Sequence, residues 1–155
     1  LPELMMAGES AEAVSAHLEA AISASGQASQ AVGVVVAGTV QGDVHDIGKN
    51  IVATMLRAHG FEVVDLGRNV APSAFVDAAR QSKADIIALS SLMTTTRPAI
   101  LSTIQLFKEL GLAETYQIII GGGSVTEDWA VENGAGYAPD AAGAVELCKK
   151  LLGVG

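Results

Sequence analysis

From Ala31 onward the chain repeats one pattern, a short unbroken run of β-branched and aliphatic residues followed by a longer amphipathic stretch. Unbroken apolar runs, rather than alternating ones, are how strands buried on both faces of a parallel sheet read. Five such runs stand in the sequence: Val32 to Gly38, Phe61 to Leu66, Asp85 to Ser90, Tyr116 to Ile120 and a weaker one from Ala135 to Ala138. Between them the spacing predicts helices from Ile47 to His59, Pro72 to Ser82 and Arg97 to Leu110, a short one around Trp129, and a last one from Asp140 to Leu152. Pro72 sits where a first helical residue has no N–H partner to lose, and Gly60 and Gly111 sit where a helix ends. Strict alternation of strand and helix calls for right-handed crossovers. The predicted fold is therefore α/β, a five-stranded doubly wound parallel sheet of the flavodoxin-like (Rossmann-like) order.

Composition agrees with that architecture and removes several functions. The chain has 155 residues, a length that suits one domain with a small appendage. Half of them are apolar, 17% are charged and 4% are aromatic, which describes a core of Ala, Val, Ile and Leu rather than a disordered chain. With 9 Lys and Arg against 17 Asp and Glu, the formal charge is −8. That balance offers no basic field for a phosphate backbone, so no nucleic-acid partner is expected, nor a polybasic membrane anchor. No apolar stretch approaches the ~18 residues that cross a bilayer. Cys148 is the one cysteine, so no internal disulfide forms and no zinc spacing exists. The reading is a soluble protein of a reducing cytoplasm.

Ahead of the repeating pattern, Glu3 to Ser23 places Leu4, Ala7, Ala11, Val14, Leu18, Ala21 and Ile22 at mostly three- and four-residue intervals, an amphipathic helix. The small polar run from Ala24 to Gln30 reads as a linker. Residues 1–30 and 31–155 are thus separated as an appendage and a main domain.

In an open α/β sheet, ligands bind beyond the carboxyl ends of the strands where the strand order reverses. The loop after the first strand, Gly38 to Asn50, holds Gly42-Asp43-Val44-His45-Asp46-Ile47-Gly48. It lacks both Gly-x-Gly-x-x-Gly and the Gly-Lys-Ser/Thr phosphate loop. What it offers is an imidazole with a carboxylate two residues away, the pairing that fixes the tautomer of a metal-bound histidine. One histidine does not hold a bare metal tightly, whereas a cofactor that brings most of its own ligands suits it. The loop after the third strand, Ser90-Ser91-Leu92-Met93-Thr94-Thr95-Thr96, is rich in hydroxyls, and the loop after the fourth opens with Gly121-Gly122-Gly123.

Asp43-x-His45-x-x-Gly48, then Ser90-x-Leu92, then Gly122-Gly123 resembles the cobalamin-binding signature of base-off, His-on corrinoid proteins. The longer string from Gly42 to Val52 is similar to the methyl-transfer branch, which includes methionine synthase and the corrinoid proteins of methylamine, methanol and methoxyaromatic methyltransferase systems. The resemblance covers the chain from about residue 31 to its end. It implies cobalamin or a related corrinoid as cofactor, with His45 as the axial cobalt ligand in place of the cofactor's own base. It further implies that Asp43 bonds His45, that Thr96 extends this relay, and that Ser90, Leu92 and Thr94 line the slot for the displaced nucleotide tail. Gly121, Gly122 and Gly123 would let that tail approach the backbone, and Gly42, Val44, Asp46, Ile47 and Gly48 would border the cofactor.

In such proteins the cobalt cycles between Co(I) and methyl-Co(III), shedding its axial ligand in the reduced state. The resemblance thus implies proton uptake by the Asp43–His45 pair as His45 departs. It implies a methyl shuttle between a substrate-specific methyltransferase and an acceptor methyltransferase, with a reductive activator of the corrinoid, rather than a complete enzyme. Leu1 to Ala7 resembles the last helix of the helical cap over the corrin. A single helix before the linker, and a first residue other than Met, predict a fragment or processed form lacking most of that cap.

Two alternatives keep the cofactor: the cobalamin subunit of an adenosylcobalamin-dependent mutase, and a cobalamin-sensing regulatory module. A receiver-type signalling domain of the same fold is disfavoured, because Ser90 stands where its third strand would end in Asp and Ala138-Pro139 where its lysine loop would begin. Several residues also carry plainer readings. Asp46 suits a helix cap, Lys49 equally a contact to a cofactor amide or phosphate or a solvated first turn, and His59 a helix end that favours a cation. His17 sits on a polar face, Met5 and Met6 suit a core or interface, and Cys148, among Val145, Leu147 and Leu151, suits burial.

Overall fold

A computed structural model describes residues 31–154 of the chain. The helix and linker expected over residues 3–30, with Met5, Met6 and His17, lie outside the described residues. Ten elements alternate: β1 (Val34–Thr39), α1 (Ile47–Ala58), β2 (Glu62–Asp65), α2 (Pro72–Ser82), β3 (Ile86–Ser90), α3 (Arg97–Glu109), β4 (Gln117–Gly121), α4 (Glu127–Glu132), β5 (Gly136–Tyr137) and α5 (Ala141–Leu151). All the strand pairings are parallel, in the order β2-β1-β3-β4-β5. This is the doubly wound sheet the alternation predicts. Each element lies within two residues of its expected bounds, and the weak fifth run contracts to two paired residues, Gly136 and Tyr137.

Side chains along each strand point alternately to the two faces. On one face, Val36, Ile87, Leu89 and Ile120 pack with Phe75 and Val76 of α2, Ile100, Ile104 and Phe107 of α3 and Ala130 of α4. On the other, Val35, Ala37, Ile86 and Ile119 pack with Ala53 and Leu56 of α1 and Val145 and Cys148 of α5. Each of the larger side chains so buried is worth about 1.5–3 kcal/mol. The second face is built from smaller residues, and that difference leaves room near the strands' carboxyl ends. Burial pushes the Cys148 thiol up to about 12, so it is an inert core residue.

The register aligns Thr39 with Ser90 and Ser90 with Gly121. Three loops therefore leave the sheet from one row, β1–α1, β3–α3 and β4–α4, and the order reverses between β1 and β3.

Candidate functional site at the carboxyl edge of the sheet

The β1–α1 loop is folded around a buried carboxylate. Gly42 takes φ +88°, a conformation open to glycine at little cost, and its N–H donates to Asn69 Oδ1 at 2.8 Å. The Asn69 N–H donates in return to the Asp43 carbonyl at 2.9 Å. Asp43 is fully buried. Its Oδ1 accepts the His45 backbone N–H at 3.0 Å and lies 2.9 Å from His45 Nδ1. Its Oδ2 accepts from Thr96 Oγ1 at 2.7 Å, Leu92 N at 2.8 Å and Met93 N at 3.3 Å. Burial alone pushes this carboxyl up, but the donors of Thr96, His45 and Leu92 outweigh it and hold the group well below the ordinary carboxylate range. An ionised Asp43 accepts only, so Nδ1 of His45 carries the proton and Nε2 presents a lone pair. The His45 side chain is 45% exposed. A buried anion thus fixes the tautomer of an accessible imidazole.

Thr96, expected to extend this relay, does contact Asp43. Behind it stand two residues the sequence did not single out. Ser91 Oγ lies 2.9 Å from Thr96 Oγ1, and Ser124 Oγ lies 3.1 Å from Ser91 Oγ and 2.9 Å from the Ser91 carbonyl. Asn69 is a third such residue. The signal for Ser91 was strand alternation: Ser90 and Ser91 face opposite ways, so of two adjacent serines one serves each side.

On the α1 and α5 side of the sheet a cavity of about 700 Å³ opens at the same edge, within the roughly 300–1,000 Å³ range of small-molecule sites. Ala37 and Ala88 form its floor, Gly48, Lys49 and Val52 one wall, and Ala141 and Ala144 another. Ser90, Gly121, Gly122 and Gly123 line its mouth, so five of the expected residues, with Gly48, meet here. Leu92 and Thr94 do not line it. Leu92 instead gives its N–H to Asp43 and exposes its side chain, and Thr94 is exposed. Val44 and Ile47 are apolar and exposed, at 55% and 77%, on either side of His45. Asp46 occupies the N-cap position of α1 without a side-chain cap bond. Lys49 is buried and paired with Asp65, so the reading as a solvated lysine gives way to an ion pair that ties α1 to the end of β2.

The glycines of the β4–α4 loop have a structural reason as well. Gly122 has φ +111°, and a Cβ there would lie 2.1 Å from the Ser91 carbonyl oxygen. Glycine is required for the loop to close onto Ser91.

Among the described residues no group of three or more His, Cys, Asp or Glu side chains converges as a metal site. No helix among them is long and apolar enough to cross a membrane. A single oriented imidazole beside a deep slot of small residues asks for a large ligand with its own metal. The B12 binding domain matches residues 33–146. The chain belongs to the B12-binding domain family. It is 50% identical to dimethylamine corrinoid protein 1 of Methanosarcina acetivorans over 155 residues, 98% of this chain and 71% of that one. Among solved structures, a cobalamin-binding protein from Desulfitobacterium hafniense superposes with TM-score 0.77 at 36% identity, covering 86% of this chain and 66% of the other. The methanol:cobalamin methyltransferase complex MtaBC of Methanosarcina barkeri gives 0.76 at 35%, covering 80% and 48%. This B12-binding chain thus spans about two thirds and about half of those two solved chains.

The residues fit a corrinoid. The slot is closed off by Ala and Gly where larger side chains would fill it, Ile51 in its lining and Val44 and Ile47 flanking His45 are apolar and exposed, and the exposed imidazole offers the neutral nitrogen that cobalt takes.

Proposed function

We propose that this B12-binding chain is the corrinoid carrier of a methyl-transfer system, holding its cofactor base-off and His-on. The observation that carries the reading is the exposed His45 imidazole, locked in one tautomer by buried Asp43, at the same carboxyl edge of the sheet as a slot lined with small residues. When bound, the corrinoid supplies a cobalt centre that takes up and releases a methyl group. His45 Nε2 would hold the cobalt in place of the cofactor's own base, and Asp43, by fixing the ring tautomer, leaves this nitrogen free to do so. Thr96 and the Leu92 N–H hold Asp43 ionised. Ser90, Gly48 and Gly121 to Gly123 would receive the nucleotide tail, and Val44, Ile47 and Ile51 would shield the bound corrinoid from water.

The relative's name, dimethylamine corrinoid protein, points to a methylated amine as methyl source. The slot among the described residues is the one assigned to the nucleotide tail, so the amine is bound by a partner methyltransferase. A second methyltransferase accepts the methyl group, a reductive activator restores oxidised cofactor, and the system works in the cytoplasm. The sequence boundary near residue 30 divides a remnant of a helical cap and its linker from the cobalamin-binding domain of residues 31–155.

The test is to load the protein with hydroxocobalamin, desalt it, and measure cobalt per chain for wild type and His45→Ala, then offer dimethylamine with a dimethylamine methyltransferase. Near-stoichiometric cobalt, an axial-histidine spectrum lost in His45→Ala and methylation of the wild-type cofactor are expected. Cobalt retained with no methylation and no spectral change in the variant would reject the reading.

A further inference from the structure

The buried hydroxyls behind Asp43 run from the axial-ligand loop to the loop that closes the slot. Each has one proton to give. The ionised Asp43 is the strongest acceptor within reach, so it draws the proton of Thr96. The Thr96 oxygen is then left to accept from Ser91 at 2.9 Å, and the Ser91 oxygen to accept from Ser124 at 3.1 Å. Carbonyls offer each hydroxyl a second acceptor: Met93 O stands 3.0 Å from both Ser91 Oγ and Thr96 Oγ1, and Ser91 O stands 2.9 Å from Ser124 Oγ. The carbonyl contacts brace the β3–α3 loop and tie it to the β4–α4 loop, and the Thr96–Asp43 bond ties it to the β1–α1 loop. Ser91 is fully buried and Ser124 nearly so, so water does not replace a lost partner.

Ser124 follows directly on Gly121 to Gly123, which line the slot. That loop is seated on Ser91 by more than its hydroxyl. The Ser91 N–H donates to Gly121 O at 3.1 Å, and Gly122 lies so close that no Cβ fits against the Ser91 carbonyl. A ligand that fixes the glycine loop therefore fixes Ser124 and Ser91, and through Thr96 the carboxylate that orients His45.

We propose that Ser91 and Ser124 are positioning residues that couple the filling of the slot by a corrinoid's nucleotide tail to the seating of His45 on the metal. The inference rests on the functional reading above, in which His45 is the axial ligand. A corrinoid with a tail should thus be histidine-ligated more completely than one without, and the difference should run through Ser124.

The experiment compares hydroxocobalamin, which has the tail, with diaquocobinamide, which lacks it. Each is titrated to saturation into ¹⁵N-histidine-labelled wild type, Ser124→Ala, Ser91→Ala, Ser124→Thr and His45→Ala, and the histidine-ligated fraction is read from the ¹⁵N doublets by electron paramagnetic resonance after reduction to cobalt(II). For hydroxocobalamin, the ratio of histidine-ligated to unligated cofactor is expected to fall roughly fivefold in Ser124→Ala, the weight of one lost hydrogen bond. Ser91→Ala should reproduce the fall, and Ser124→Thr, which keeps the hydroxyl, should restore the wild-type ratio. For diaquocobinamide, wild type and Ser124→Ala should agree. The inference is overturned if saturated Ser124→Ala and Ser91→Ala keep the wild-type ratio with hydroxocobalamin, because the serines then only shape the slot. It is equally overturned if diaquocobinamide loses histidine ligation by the same factor, because Ser124 then acts without the tail. Identical signals from wild type and His45→Ala would instead reject the functional reading itself, an outcome distinct from a failure of the serines.

Discussion

Oδ1 of Asp43 accepts twice from His45, from the backbone N–H at 3.0 Å and from ring Nδ1 at 2.9 Å. The double contact closes a tight turn in which a fully buried carboxylate orients a half-exposed imidazole. The other carboxylate oxygen is held from across the switch point by Leu92 and Thr96, 49 and 53 residues further along the chain. The site is thus assembled by the strand order: β1 and β3 are neighbours, and the loops that leave them share one anion.

Asp43→Asn keeps the shape and removes the charge. Its amide cannot accept from all five donors, so buried N–H and hydroxyl groups lose a partner. The variant is expected to unfold about 2–4 kcal/mol more easily in urea and to bind hydroxocobalamin on the order of 10–100-fold more weakly.

The pH dependence follows from the same group. The Asp43 carboxyl is lowered from an ordinary 3.8 in the folded protein, so the unfolded chain binds the proton first. Its stabilising contribution is full above the unfolded value and is lost as pH falls towards the folded one. The urea midpoint of the cofactor-free protein should therefore lose this contribution below about pH 5. Asp43→Asn should show a shallower acid limb, measured by repeating the urea titration at each pH.

Gly122→Ala should damage the fold. The left-handed backbone costs an alanine about 1–3 kcal/mol, and the contact of its Cβ with the Ser91 carbonyl at 2.1 Å adds to that. A fall in thermal midpoint of several degrees, with loss of histidine ligation, is expected. An unchanged midpoint would show that the β4–α4 loop does not sit on Ser91.

Gly48→Ala should separate fold from binding. Nothing lies within 4 Å of a Cβ at Gly48, and alanine in place of helical glycine gains about 0.5–1 kcal/mol. The added methyl projects into the slot that Gly48 lines. Stability should rise while cobalt retained after desalting falls.

The sheet was legible because its strands are buried on both faces, which writes them as unbroken Val and Ile runs. Boundaries shifted where pairing, not hydropathy, decides: Val32 is apolar, yet the β1 ladder begins at Val34. The fifth strand is short because Gly136 and Tyr137 meet one neighbour, β4, across two residues. Asp43 and His45 were legible because their relation is local, two residues apart. Thr96, expected to extend the relay, meets Asp43 53 residues away. Strand alternation could set Ser91 apart from Ser90, but its pairing with Ser124 was not legible, because a serine after three glycines reads as a polar loop until the fold brings the two together 33 residues apart. Asn69 was hidden for the same reason: its contacts to Gly42 and Asp43 come from the β2–α2 loop. Lys49 reads as a surface lysine in sequence, and its burial depends on Asp65 at the end of the neighbouring strand.

The central claim is that His45 supplies the axial nitrogen in place of the cofactor's own base. It is tested most directly by loading protein labelled with ¹⁵N-histidine with unlabelled hydroxocobalamin, reducing it to cobalt(II) and recording its electron paramagnetic resonance. A ¹⁵N ligand splits each cobalt line into two and a ¹⁴N ligand into three. The account predicts doublets that revert to triplets in unlabelled protein and vanish in His45→Ala. Triplets from the labelled wild type would mean that the cofactor keeps its own base, and would contradict the account.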